Sequence, residues 1–135
     1  MSHVAREPLP VDLNLISGDI VDAAIEVHSH LGPGLLESAY EACLLYELHQ
    51  RGFPAVQQVP LPVEFKGVKI DAAYRMDLVV SDAVVVEVKS VDSIAPIHKA
   101  ELLSYLKLSG KKLGLLLNFN VTLLKHGIVR LVNEL

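Results

Sequence analysis

Cysteine is nearly absent from this chain. A single thiol, Cys43, in 135 residues excludes an internal disulfide or a cysteine-bound iron–sulfur cluster. Within an apolar helical stripe that thiol reads as core packing rather than as a nucleophile. Long apolar runs are missing too: stretches such as Leu113 to Leu117 fall far short of the roughly 20 residues of a membrane-spanning helix. The first ten residues carry Arg6 and Glu7 and no apolar signal core. No low-complexity tract, internal repeat or domain boundary is visible. The expectation is one domain over residues 1–135 in the cytoplasm, with no membrane partner and a flexible N-terminal segment over 1–13. Positive charge is scarce as well, with 12 Lys and Arg against 16 Asp and Glu and a net charge of −4. Its distribution is uneven. Residues 1–98 hold six basic and fourteen acidic side chains, and residues 99–135 hold six basic (Lys99, Lys107, Lys111, Lys112, Lys125, Arg130) and two acidic ones. A basic C-terminal third could attract phosphate, or it could be a set of solvated lysines.

What the chain has is apolar residues, at 51% of the total, and three charges placed among them. Asp77 lies in Tyr74-Arg75-Met76-Asp77-Leu78-Val79-Val80, and Glu87 and Lys89 lie in Val84-Val85-Val86-Glu87-Val88-Lys89. An ionised carboxylate in a sheet core costs several kcal/mol unless it is paired or binds a metal. Side chains alternate along a strand, so Glu87 and Lys89 share a face. Whether Asp77 joins them depends on register. A two-residue turn at Ser81-Asp82 would place Asp77 opposite Val86 and Glu87 on the other face. A three-residue loop, Ser81-Asp82-Ala83, pairs Asp77 with Glu87, their Cβ atoms roughly 5 Å apart. That separation suits a shared hard divalent cation, which takes oxygen ligands.

Ile20, Ala24, Val27 and Leu31 repeat with helical spacing, predicting a first helix over about 17–31 with Ser17 as its cap. Gly32-Pro33-Gly34 breaks it, and a second helix follows over about 35–50. Pro60 and Pro62 limit 56–65 to an edge strand, which Lys66-Gly67 turns into the next strand. After the hairpin, Pro96 opens a third helix reaching Ser109-Gly110, and 113–119 and 128–131 read as strands. The order ααβββαββ predicts an α/β (α+β) fold with a mixed central sheet flanked by helices. His28 and His30, two apart on a helix, do not face each other, so no histidine metal site is expected there.

Asp77, ten residues, then Glu87-x-Lys89 resembles the D…(D/E)xK core of the PD-(D/E)xK nuclease superfamily. Gly34-Leu35-Leu36-Glu37-Ser38-Ala39-Tyr40 is similar to the signature of the small bacterial GxxExxY proteins. The likeness runs in order from about Ile20 through Val129. It implies a restriction-endonuclease-like core in which helix-borne Glu37 completes a metal site. Glu37 lies on or beside the buried stripe of its helix, where pairing with an arginine such as Arg75, or capping of backbone donors, is the structural alternative. The third helix places His98, Glu101 and Tyr105 along one line. In the RecB-like branch the corresponding helix bears Gln-x-x-x-Tyr, and here Glu101 stands where the glutamine would be. A glutamine can donate to a phosphate oxygen, whereas an ionised glutamate repels it.

The resulting expectation is a metal-dependent nuclease hydrolysing phosphodiester bonds of DNA or RNA. Asp77, Glu87, the Val88 carbonyl and Glu37 would hold Mg²⁺ or Mn²⁺. Lys89 would assist the attacking water, and His98, Glu101 and Tyr105 would face substrate. Glu41 and Glu47 read as solvated helix charges. The competing expectations are a non-catalytic nucleic-acid- or protein-binding module with its charges tied up as Glu87–Lys89 or Arg75–Asp77 pairs, and a hydrolase of small phosphorylated substrates. A chain this short would grip a long duplex more readily as a homodimer.

Overall fold

The computed structural model describes residues 11–134. In chain order these form α1 (Val11–Leu31), α2 (Glu37–Gln50), β1 (Ala55–Pro60), β2 (Val63–Phe65), β3 (Val68–Ile70), β4 (Arg75–Val80), β5 (Val84–Lys89), α3 (Pro96–Ser109), β6 (Leu113–Asn118) and β7 (Ile128–Val132). The expected mixed sheet is present, five strands in the order β1-β4-β5-β6-β7. Neighbours run antiparallel except β5 and β6, which are parallel and joined by the α3 crossover. Among the described residues no helix is long and apolar enough to cross a membrane.

Strand parity divides the core into two layers. Leu78, Val80, Val84, Val86 and Val88 face α1 and α2, packing with Ile20, Ala24, Tyr40, Leu44 and Leu48. Val79, Val85 and Leu116 face the other way, onto Leu102 and Leu106 of α3. Both sides of β5 are therefore buried, which explains its unbroken valine run. The α3 side allows close approach because Gly114 sits under Leu102; a Cβ there would lie 2.9 Å from a leucine methyl.

Four expectations need correction. Helix α1 begins at Val11, so residues 11–13 of the segment expected to be flexible are helical, with Leu13 packed on the core; residues 1–10 lie outside the described residues. Ser17 is therefore no cap. It is buried within α1, its hydroxyl donating to the Asn14 carbonyl, because the apolar face continues upstream through Leu13 and Ile16. The edge strand expected over 56–65 stops at Pro60, and Val63–Phe65 leaves the sheet to pair with Val68–Ile70 in a hairpin closed by Lys66-Gly67. Prolines 60 and 62 have no N–H to donate, so the ladder ends there. Cys43 is exposed on α2, since Tyr40, Leu44 and Leu48 supply the buried stripe.

Candidate active site

Val80 pairs with Val84 across Ser81-Asp82-Ala83, where Ser81 and Asp82 adopt left-handed backbone at φ 54° and 53°. The same register, Val79 with Val85 and Leu78 with Val86, aims Asp77 at Glu87, as the three-residue loop requires. Past Leu78, side chains replace backbone in the ladder. The Asp77 N–H donates to the Glu87 carboxylate at 2.9 Å, and the Val88 N–H donates to the Asp77 carboxylate at 2.8 Å. Both carboxylates are thus locked into the seam between β4 and β5, each through one oxygen. Val88 enters the site through its N–H.

Glu87 is only 8% exposed, and burial, then the charge of Asp77, push its carboxyl up to about 8 against the pull of the Asp77 N–H and Lys89. Burial also raises Asp77, opposed by the Val88 N–H and Lys89. Two close carboxylates with too little positive charge beside them hold on to a proton. Lys89 does not supply the missing cation at short range: its Nζ lies 3.9 Å from Glu101 Oε1. Neither a Glu87–Lys89 nor an Arg75–Asp77 ion pair forms among the described residues.

Helix α2 begins at Glu37, whose carboxylate accepts from the Ser90 N–H at 3.3 Å, just past Lys89. The preceding loop is fastened from both sides. The buried Tyr40 hydroxyl donates to the Gly32 carbonyl and accepts from the Leu35 N–H, while the Ser90 hydroxyl donates to the Leu35 carbonyl. Tyr40 stacks on Phe119, ring centroids 4.6 Å apart. The glycine, glutamate and tyrosine of the signature therefore form one device: a broken helix, a carboxylate at the new helix start, and a hydroxyl that closes the break.

From the α3 side, Glu101 and Tyr105 approach. Their nearness is legible in charge: Glu101 raises Glu87, and Tyr105 is pushed up to about 12 by burial, then by Glu87 and Glu101. His98 is turned to another task, its Nδ1 accepting from the Ala95 N–H at the start of α3. Buried Asn118 pins the segment after β5, its side chain both accepting from the Val91 N–H and donating to the Val91 carbonyl. His28 Nε2 donates to the Val121 carbonyl at 2.8 Å and His30 pairs with Glu26, away from each other as expected.

Two residues belong here that the sequence reading missed. Glu41 stands one turn after Glu37 and is raised by burial, with the charges of Asp77 and Glu37 adding to the shift. Its spacing from Glu37 was the available signal. Gln58 on β1 donates to both Glu41 carboxylate oxygens, at 2.9 and 3.2 Å. Nothing local in the sequence marks Gln58.

The donor set is all oxygen, and the Asp77–Glu87 pair carries negative charge that no short ion pair neutralises, which fits a hard divalent cation. Among the described residues no three His, Cys, Asp or Glu groups converge into a ready cage, so Asp77 and Glu87 would need water, backbone oxygen or a substrate phosphate to complete a coordination shell. A family model described as the PD-(D/E)XK nuclease superfamily matches residues 14–131, spanning all of these groups. No curated protein and no solved structure matches the chain.

Proposed function

The chain belongs to the PD-(D/E)XK nuclease superfamily, whose members generally use divalent metals, and from that premise we propose that it is a Mg²⁺- or Mn²⁺-dependent phosphodiesterase acting on nucleic acid. Membership implies nuclease-type function and a nucleic-acid substrate. The finer likeness to GxxExxY proteins rests on Gly34, Glu37 and Tyr40. The observation that carries the reading is the interlocked pair Asp77–Glu87, a half-buried and a buried carboxylate held by each other's strand and short of positive charge.

Asp77 and Glu87 would hold the ion, with the Val88 carbonyl as a further oxygen donor and Glu37, which does not converge with the pair, reaching the ion through water. When bound, the ion would lower the pKa of a water and neutralise phosphate charge. In the hydrolysis, a water oxygen bonds to phosphorus, one P–O ester bond breaks, and the leaving oxygen takes a proton. Lys89, whose Nζ lies 3.9 Å from Glu101, would orient the water and stabilise the added negative charge of the transition state. Tyr105 keeps its proton at neutral pH and can donate it as a hydrogen bond to a phosphate oxygen. Glu101 meets the site through Lys89, and His98 would face substrate from the first turn of α3.

Millimolar Mn²⁺ should raise the melting temperature of the wild type and not of Asp77→Asn, since a ligand bound only by the folded state stabilises it. At least one of labelled single-stranded, duplex, branched and RNA substrates should be cut in its presence, and cleavage of none of them would overturn the reading. Lys89→Ala should reduce cleavage at least ~100-fold while keeping most of the Mn²⁺-induced shift, because a charge beside the ion matters more to the transition state than to ion binding. Equal Mn²⁺ shifts in wild type and Asp77→Asn would sink the reading. A second reading, a non-catalytic binding module, is favoured by Glu101, which sets an exposed negative charge where a phosphate donor is expected. Binding of an oligonucleotide with no metal-dependent cleavage would select it.

A further inference from the structure

Strand β1 pairs with β4 in one continuous register: Ala55 with Val80, Val56 with Val79, Gln57 with Leu78, then Val59 with Met76 and Pro60 with Arg75. The residue left out is Gln58, which falls opposite Asp77. Its backbone is left-handed, with φ 53°. The other non-glycine residues with positive φ among those described, Lys66, Ala73, Ser81 and Asp82, lie in turns and loops; Gln58 stands inside a strand. Left-handed backbone disfavours a glutamine because its Cβ crowds the following carbonyl, and glycine would adopt it freely. Burial does not offset that cost, since Gln58 is exposed.

What the kink does is redirect the side chain. A regular strand residue would stay in its row. Gln58 instead reaches α2 and donates through Nε2 to Glu41 at 2.9 Å and 3.2 Å. Glu41 follows Glu37 at i+4, so α2 turns two carboxylates toward the β4–β5 seam, one tied to the Ser90 N–H and the other to Gln58. An exposed hydrogen bond of this kind adds little to stability. A strained residue that gains little stability and lies against a candidate catalytic carboxylate is the pattern of a functional constraint.

We propose that Gln58 is a positioning residue, whose left-handed backbone carries its amide out of the strand row to hold Glu41 beside Asp77 and so fixes the acidic wall that α2 presents to the divalent ion. The inference rests on the metal-dependent reading above and deepens it. Gln58 acts through Glu41 and Asp77 and does not itself take part in the chemistry.

The test uses the full chain and two variants that separate backbone from amide. Gln58→Gly relieves the strained backbone and removes the amide; Gln58→Ala keeps the strain and removes the amide. Without metal, Gln58→Gly should melt no lower than wild type and above Gln58→Ala. In Mn²⁺ titrations followed by melting, both should need at least fivefold more Mn²⁺ than wild type for half the stabilisation. A merely structural residue would lose metal-free stability in the glycine variant, and that outcome overturns the proposal. So does a wild-type Mn²⁺ response in both variants. If the wild type itself gains nothing from Mn²⁺, or if Asp77→Asn gains as much, the metal-dependent reading fails and takes this inference with it.

Discussion

At the scale of single residues, Glu87 couples this site to pH. Its carboxyl is raised from 4.5 to about 8 by burial and by Asp77, so the metal-free folded state binds the proton more tightly than the unfolded chain does. Its stabilising contribution is complete below the unfolded pKa and is lost progressively as pH rises through the folded one. Denaturation of metal-free protein between pH 5 and 8 should show stability falling with pH, by an amount on the order of 2–4 kcal/mol. Glu87→Gln, neutral at every pH and still able to accept from the Asp77 N–H, should flatten that dependence; an unchanged slope would clear Glu87 of responsibility. Mn²⁺ competes with the same proton, so its stabilisation should grow toward pH 8.

The elements depend on one another through a few polar side chains rather than through apolar contact alone. Helix α2 contributes Glu37 only because the chain leaves α1 at Gly32 and re-enters a helix at Glu37, and the Tyr40 hydroxyl spans that gap. Tyr40→Phe keeps the stack on Phe119 but leaves the Gly32 carbonyl and Leu35 N–H without this partner. It should cost about 1–2 kcal/mol by urea denaturation. It should also weaken Mn²⁺ binding, because Glu37 loses its fixed starting point; full wild-type Mn²⁺ affinity in Tyr40→Phe would show that the loop does not position the carboxylate. On the far side of the site, Asn118 depends on a glycine in the same way: a Cβ at Gly127 would lie 2.1 Å from the Asn118 carbonyl oxygen.

For the whole molecule, the uneven charge of the sequence does not become a single basic face. Lys111 and Lys112 precede β6, whose start at Leu113 pairs with Val84, while Lys89 pairs with Asn118 at the other end. Five residues of strand put these lysines roughly 17 Å from the site end. Lys111 is moreover paired with Asp82 at 2.9 Å, and Arg130 bonds Asn14 on α1. Few cations are left near the site, notably Lys89 and, two residues before Asp77 on β4, Arg75. Polynucleotide binding should therefore have a shallow salt dependence, log K falling with log salt at a slope of roughly −2 to −3. Titration of a fluorescent oligonucleotide from low to physiological salt measures it, and a slope several times steeper would require a basic surface that these residues do not form.

The sequence by itself determined the parts whose cause is local or periodic. Apolar spacing marked the helices and Pro96 and Gly110 bounded α3, while the start of α1 at Val11 and the end of the edge strand at Pro60 came only with the structure. Side-chain parity reduced the hairpin to two registers, of which the structure has the three-residue Ser81–Ala83 loop that turns Asp77 toward Glu87. Asp77, Glu87 and Lys89 were legible for that reason. Glu41 and Gln58 were not: a helix carboxylate reads as solvated, and no propensity assigns left-handed backbone to a glutamine inside a strand. Likewise His98 was legible as a residue on the α3 line but not as the acceptor for the Ala95 N–H. Only the tertiary structure decided these, since hydrogen bonds between residues far apart in the chain, Glu41 with Gln58 and Glu37 with Ser90, select among conformations that local sequence leaves nearly equal.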